Sequence, residues 1–251
     1  MKSNKLDNSI LNVKITYNEN IIAESSQINM ISIYSTFTKL FYLNNCFYLD
    51  EKLENNYFNI DIVHCSIEIE NKFNERILLY NFNFRTDDFK IEKSNIILEG
   101  LPMIDYDTSN YDQNVIDVFT KWNNNEKIYF LGLNEEVKYS YNYCCLFWSG
   151  VPNLFFDSLY EINLSVVNSE IDFFNLLGEE LFGPKGYIGH DSYSFEDCLQ
   201  TISKNITNKT VIKLINYSNL DLVIDPHTKK FIDRCIEKKY QNFYFLKVEK
   251  Y

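Results

Sequence analysis

The sequence predicts two domains of different class, a mainly β N-terminal domain over residues 1–154 and an α/β C-terminal domain over residues 155–251 built on a small parallel sheet. Three observations predict this. From Ile10 to about Leu133, short runs rich in Ile, Val, Tyr and Phe are separated by Asn, Asp and Lys clusters, the pattern of strands and turns. After Pro152 strand-like runs alternate with helical ones, an α/β rhythm. A chain of 251 residues with 45% hydrophobic content is long enough to bury two cores.

In the first domain the strand candidates are Leu11 to Tyr17, Thr36 to Leu43, Tyr57 to Ile69, Arg76 to Phe84, Asn95 to Leu101 and Lys127 to Leu131. Val115, Val118, Phe119 and Trp122 recur at helical spacing, which predicts one helix over Asn114 to Asn123. Gly100 and Pro102 are the only Gly and Pro before that helix, and Asn takes over the turns because it tolerates left-handed backbone. Trp122 and Trp148 read as core anchors.

In the second domain Tyr160 to Val167, Thr210 to Tyr217 and Asn242 to Val248 read as strands. Ser169 to Leu181, Ser192 to Lys204 and Pro226 to Lys239 read as helices. Each helix start carries a signal: Ser169 with Asp172 three residues on, Asp191 before Ser192, and Asp225 before Pro226 at the first helical position. Strands separated by helices favour parallel pairing.

The second of these helices has a buried face of Phe195, Cys198, Leu199 and Ile202, which leaves Tyr193, Asp197, Gln200 and Thr201 opposite. The preceding Gly183-Pro-Lys-Gly-Tyr-Ile-Gly189 implies a fixed, unusual backbone path, with the Tyr187 ring expected at the surface of a short loop. Between Asn168 and Gln200 stand Glu170, Asp172, Glu179, Glu180, Asp191, Glu196 and Asp197 against the single Lys185, a net charge of −6. Such a negative face suits a cationic cleft in a partner and speeds encounter by steering. The bland alternative is a solvated face over two amphipathic helices.

Glu180-Leu-Phe-Gly-Pro-Lys-Gly-Tyr-Ile-Gly-His-Asp-Ser-Tyr-Ser-Phe-Glu-Asp-Cys-Leu199 resembles the signature of barstar-related proteins, a Tyr-aromatic-Gly turn leading into a helix that ends in Asp-Cys-Leu. The resemblance covers the second domain and leaves the first unassigned. It implies a three-stranded parallel sheet with helices, and an intracellular, immunity-type inhibitor that caps a ribonuclease active site with its second helix and the turn before it. In that reading Asp197 stands in for a substrate phosphate and Tyr187 and Gly189 form the turn. Asp191, Tyr193 and Thr201 line the same face, and Glu237 or Asp233 adds a late acidic contact. Tyr193 and Asp191 depart from the family pattern, which has an acidic residue and an asparagine there. The implied partner is a basic nuclease toxin, secreted or polymorphic; the alternative is a barstar-like binding module whose partner is no nuclease.

Other classes find little support. A formal charge of −11 argues against direct nucleic-acid binding, which needs Lys and Arg clusters. No apolar run reaches the ~18 residues of a membrane span, and polar Met1 to Asn8 carries no secretory pattern, so a cytoplasmic protein is expected. Six cysteines without a CxxC pair fit buried thiols in a reduced compartment. His64-Cys65, Cys46 and Cys144-Cys145 lack chelating spacing and read as buried strand residues, so no metal or cofactor is expected. His190-Asp191 with Asp197 can be drawn as an acid–base cluster, but no nucleophile elbow, phosphate loop or HExxH motif accompanies it, and no enzyme is expected.

Overall fold

A computed structural model describes residues 10–32, 39–50, 62–103, 111–155 and 157–249. The chain forms two compact units, Met1–Lys127 and Ile128–Tyr251. The second unit therefore begins earlier than residue 155, and a helix that the hydrophobic pattern did not reveal accounts for the difference.

The first unit is a single antiparallel sheet of β1 (Leu11–Tyr17), β2 (Asn20–Ser25), β3 (Gln27–Ser32), β4 (Lys39–Asn44), β5 (Tyr48–Leu49), β6 (Ile62–Glu70), β7 (Arg76–Glu92) and β8 (Asn95–Met103), in the order β3-β4-β8-β7-β6-β1-β2-β5. Helix α1 (Gln113–Asn123) follows. Strand β1 shows why these residues pair: Leu11, Val13 and Ile15 alternate into the core while Asn12 and Lys14 lie half-buried on the other face. Asn18 and Glu19, both at positive φ, close the β1–β2 hairpin.

Strands β2 and β3 form one run bent at Ser25-Ser26, yet they lie toward opposite ends of the strand order, so the sheet rolls up on itself. Buried Ser25 fixes the corner. Its hydroxyl bonds the carbonyls of Asn44 and Gln27 and accepts from Gln27 N–H at 2.9 Å. Phe41, Phe82 and Phe84 fill the interior, and α1 adds Val115, Val118, Phe119 and Trp122, the stripe that its spacing predicts.

Several expectations need correction. Lys127 to Leu131 is no strand; Phe130–Gly132 is a 3-10 turn. Strand β7 runs past Phe84 to Glu92, where among the described residues it pairs with β8 alone and its polar residues bury little. The parts of the Thr36 to Leu43 and Tyr57 to Ile69 candidates at 36–38 and 57–61 lie outside the described residues.

The second unit has three parallel strands, β9 (Leu159–Asn163), β10 (Thr210–Ile215) and β11 (Phe243–Val248), with β10 in the centre. Its helices are α2 (Glu135–Ser149), α3 (Glu170–Phe182), α4 (Ser192–Asn205), the short α5 (Leu220–Val223) and α6 (Pro226–Glu237). The expected caps are in place. Ser169 accepts from Asp172 N–H, Asp191 and Ser194 form a reciprocal capping box, and Asp225 accepts from His227 and Thr228 N–H. Ile162, Ile212, Leu214, Phe243 and Phe245 on the strands and Phe173, Phe174, Phe195 and Ile232 on the helices are buried, and the Phe195 ring of α4 packs against those of Phe173 and Phe174 on α3.

Helix α2 lies outside the predicted elements, and Cys144-Cys145 lies on it rather than on a strand. None of the six cysteines forms a disulfide. The helix joins α3 through polar groups. Lys138 Nζ lies 2.7 Å from Asp172 Oδ1, whose carboxylate is fully buried. Asn142 Nδ2 donates to Asn175 Oδ1 at 2.7 Å, and Asn175 Nδ2 donates to Lys138 O at 3.3 Å. Tyr141 OH donates to Glu179.

Lys138→Ala in the full chain leaves the Asp172 carboxylate buried without its counter-charge. The expected loss is about 3–5 kcal/mol in urea unfolding, whereas a double Lys138→Met, Asp172→Leu variant loses much less. Equal losses in the two variants would show that the pair does not hold α2 to α3.

Candidate functional site

The loop between α3 and α4 decides where α4 points. Gly183 and Gly189 take positive φ of 80° and 120°. A Cβ on Gly189 would meet Phe195 N at 2.6 Å, and one on Gly178 would meet Gly186 O at 2.4 Å. These glycines let the loop lie backbone to backbone against α3 and the start of α4. Asn142 Nδ2 donates to Gly189 O at 3.1 Å, so α2 also pins the last turn residue.

Tyr187 sits inside this arrangement, contrary to the expected exposed ring. It is 4% exposed, and its hydroxyl lies 3.2 Å from His190 Nδ1. Burial first, then the neighbouring Cys198 and Asp191, push its hydroxyl up to about 12. Ser194 hydrogen bonding works the other way without prevailing. The ring is a core element that seats α4. Gly189 is likewise buried.

Helix α4 buries Phe195, Cys198, Leu199 and Ile202, as its periodicity predicts. Its outer side carries Tyr193, which is 66% exposed although its ring packs 4.9 Å from that of Phe231 on α6. One turn on, Asp197 is exposed, and its carboxylate has no hydrogen bond or ion pair among the described residues. Thr201 is half-buried and donates its hydroxyl to Asp197 O at 2.9 Å. Tyr193, Asp197 and Thr201 thus form one ridge.

Asp191 is tied into the capping box, accepting Ser194 N–H at 2.7 Å and Ser194 Oγ at 2.8 Å. Burial works to raise its carboxyl, but these bonds and His190 hold it below the ordinary carboxylate range. Glu170, at the start of α3, is pushed up by burial and by nearby Asp225 and Asp191. The N-termini of α3, α4 and α6 therefore bring acidic groups together, where helix dipoles tolerate negative charge.

The negative face is smaller than the sequence count implied. Asp172 is spent on Lys138, and Glu179 is half-buried against Tyr141. Glu196 reaches Lys238 at 3.3 Å. Trp148 is no core anchor: it is half-buried with the Lys185 ammonium 4.4 Å from its ring centre.

The late acidic candidates do not join the ridge. Asp233 accepts from Tyr217 OH at 2.8 Å, Lys229 Nζ at 2.9 Å and Lys247 Nζ at 2.6 Å, and Lys247 also holds Glu237 at 2.6 Å. At about 100° per residue, Asp233 and Glu237 point about 120° or more away from Phe231, the α6 residue that meets α4. They close α6 onto β11.

Compared with protein-family models, with curated proteins and with solved structures, the chain matches none.

Tyr187→Phe is expected to cost no more than about 1.5 kcal/mol, the range of one neutral hydrogen bond. Tyr187→Ala is expected to cost about 3–5 kcal/mol, as for an emptied aromatic core site. A Tyr187→Ala protein as stable as wild type in urea would contradict the assigned core role.

A second expectation concerns pH. Burial works to raise the Asp233 carboxyl, yet bonds from Lys247, Lys229 and Tyr217 hold it at about 2, below its ordinary 3.8. A depressed folded value means that this stabilisation is complete above pH 3.8 and fades as pH falls toward 2. The urea midpoints of wild type and Asp233→Asn should converge over that window; a pH-independent gap would contradict it.

Proposed function

We propose that the C-terminal unit is a barstar-like inhibitor domain that occupies the active site of a ribonuclease toxin through the exposed ridge of α4. The observation that carries this reading is the exposed carboxylate of Asp197, without a hydrogen bond or ion pair among the described residues, one turn beyond the 66% exposed Tyr193 on a helix whose other face is locked in the core. A three-stranded parallel sheet with helices, as the resemblance implies, supports it. The pinned glycine turn supports it too, because a rigid carboxylate loses less freedom on docking.

The chemistry is one of mimicry. A nuclease cleft gathers Arg, Lys and His around the scissile phosphate, and Asp197 offers those donors a negative charge with no bond to cleave. Acidic groups at the starts of α3, α4 and α6 lie at the same end of α4 as Tyr193 and draw a basic partner toward it. The protein acts in the cytoplasm of the cell that it protects and performs no turnover itself. Tyr187 and Gly189 contribute by seating α4 rather than by touching the partner, and Glu237 lies outside the footprint.

Tyr193 stands where the family pattern has an acid, so the partner's cleft offers an apolar or cationic seat for a ring at that point. A partner other than a nuclease is the competing outcome.

The test is affinity capture from the source cell's lysate with wild type and Asp197→Ala, followed by RNA cleavage by whatever is retained. The expected result is a ribonuclease that wild type silences and that Asp197→Ala binds about thirtyfold or more weakly. That corresponds to the ~2 kcal/mol lower bound for breaking a desolvated charge pair, a magnitude borrowed from known inhibitor interfaces. A retained partner without RNase activity, or one held equally by both proteins, would overturn the reading.

A further inference from the structure

Tyr193 does not stand alone at its end of α4. Its ring lies 4.9 Å from that of Phe231 on α6, and the Arg234 guanidinium carbon lies 5.9 Å from the same Phe231 ring. Phe231 and Arg234 are three residues apart, hence only about 60° apart around α6. The three side chains make one patch that bridges the two helices, with Phe231 half-buried and Arg234 exposed.

The charges near this patch differ in whether they are spoken for. Lys238 lies 3.3 Å from Glu196, and that pair is balanced. The Arg234 guanidinium has no ion pair among the described residues, and neither has the Asp197 carboxylate on α4. The surface around Tyr193 therefore carries an available negative charge on α4 and an available positive charge on α6.

Distance decides whether a partner can avoid Arg234. The two contacts with Phe231 put its guanidinium at most about 11 Å from the centre of the Tyr193 ring. A standard interface covers about 800 Å² of each partner, roughly 30 Å across. A partner centred on Tyr193 and Asp197 thus covers Arg234 as well. A cation covered without an acceptor is strongly unfavourable, so the partner has to supply one.

We propose that Arg234, held on Phe231, is a specificity-determining residue of the inhibitor face, pairing with a carboxylate of the partner beside the basic cleft that receives Asp197. This rests on the inhibitor reading and adds a selection rule to it. A uniformly basic nuclease is rejected at Arg234, whereas one with an acidic group next to its cleft is accepted. The late acidic contact that the family resemblance implies is replaced at this surface by a basic one, because Asp233 and Glu237 are turned onto Lys247.

The probe is the ribonuclease that wild type retains from the source cell's lysate. Inhibition of its RNA cleavage is titrated with the full chain as wild type, Asp197→Ala, Arg234→Lys, Arg234→Glu and, as a control of equal charge change, Lys209→Glu. Lys209 is exposed beyond the end of α4 that lies away from Tyr193. Arg234→Glu makes the chain more acidic, so a uniformly basic partner would bind it more tightly. The expected result has the opposite sign: Arg234→Glu inhibits about tenfold or more weakly, Arg234→Lys falls between it and wild type, and Lys209→Glu is no weaker than wild type, all with unchanged urea midpoints. Weakening by Asp197→Ala together with unchanged or tighter inhibition by Arg234→Glu overturns the role of Arg234 and leaves the inhibitor reading in place, as does equal weakening by Lys209→Glu. Failure to retain a ribonuclease, or equal inhibition by Asp197→Ala and wild type, overturns both.

Discussion

The buried contact between Lys138 on α2 and Asp172 on α3 sets the frame for the C-terminal unit. A carboxylate that is 0% exposed is tolerable only with a matched charge and hydrogen bonds. Asp172 has the Lys138 charge beside Oδ1 and one hydrogen bond, from Asn168 N–H to Oδ2 at 3.1 Å. The pair ties α2 to the start of α3, and the same face of α2 continues through Tyr141 to Glu179 and through Asn142 to Asn175 and Gly189. The turn before α4 is thus held from outside the strand and helix repeat. The direction of α4, and with it the aim of Asp197, depends on a helix that the signature segment does not include.

This frame separates residues that position from residues that present. Tyr187, Gly189 and Asp191 are absorbed into the turn and the capping box. Tyr193 and Asp197 are left over by the core and stand on the ridge. Asp233 and Glu237 look equally acidic in the sequence, but Lys229 and Lys247 claim them for the closure of α6 onto β11. An acidic residue is available to a partner only when no internal cation has engaged it, and among these acids Asp197 meets that condition.

Legibility in the sequence followed the kind of signal each element carries. Helices α3, α4 and α6 were readable because apolar spacing and caps agree at each start. Helix α2 was not: its buried face is built of Lys138, Tyr141, Asn142 and Cys145, a helical period written in polar and mixed residues. Strands β2 and β3 escaped because the alternation breaks at Ser25-Ser26, where the run bends. The outer half of β7 escaped because it buries little. The burial of Tyr187 is not legible because loop glycines signal a special backbone path without saying whether the ring between them turns out or in. The direction of Asp233 and Glu237 depends on Lys247, a residue on β11 that no local pattern links to them.

Photocrosslinking in the source cell, with a benzophenone amino acid in place of Tyr193, tests whether the α4 ridge meets a ribonuclease. A second protein carries it in place of Leu222, which is 84% exposed on α5. A covalent adduct with a ribonuclease is expected from position 193 and none from position 222. An adduct from position 222 alone, or an adduct at position 193 with a protein that does not cleave RNA, would contradict it.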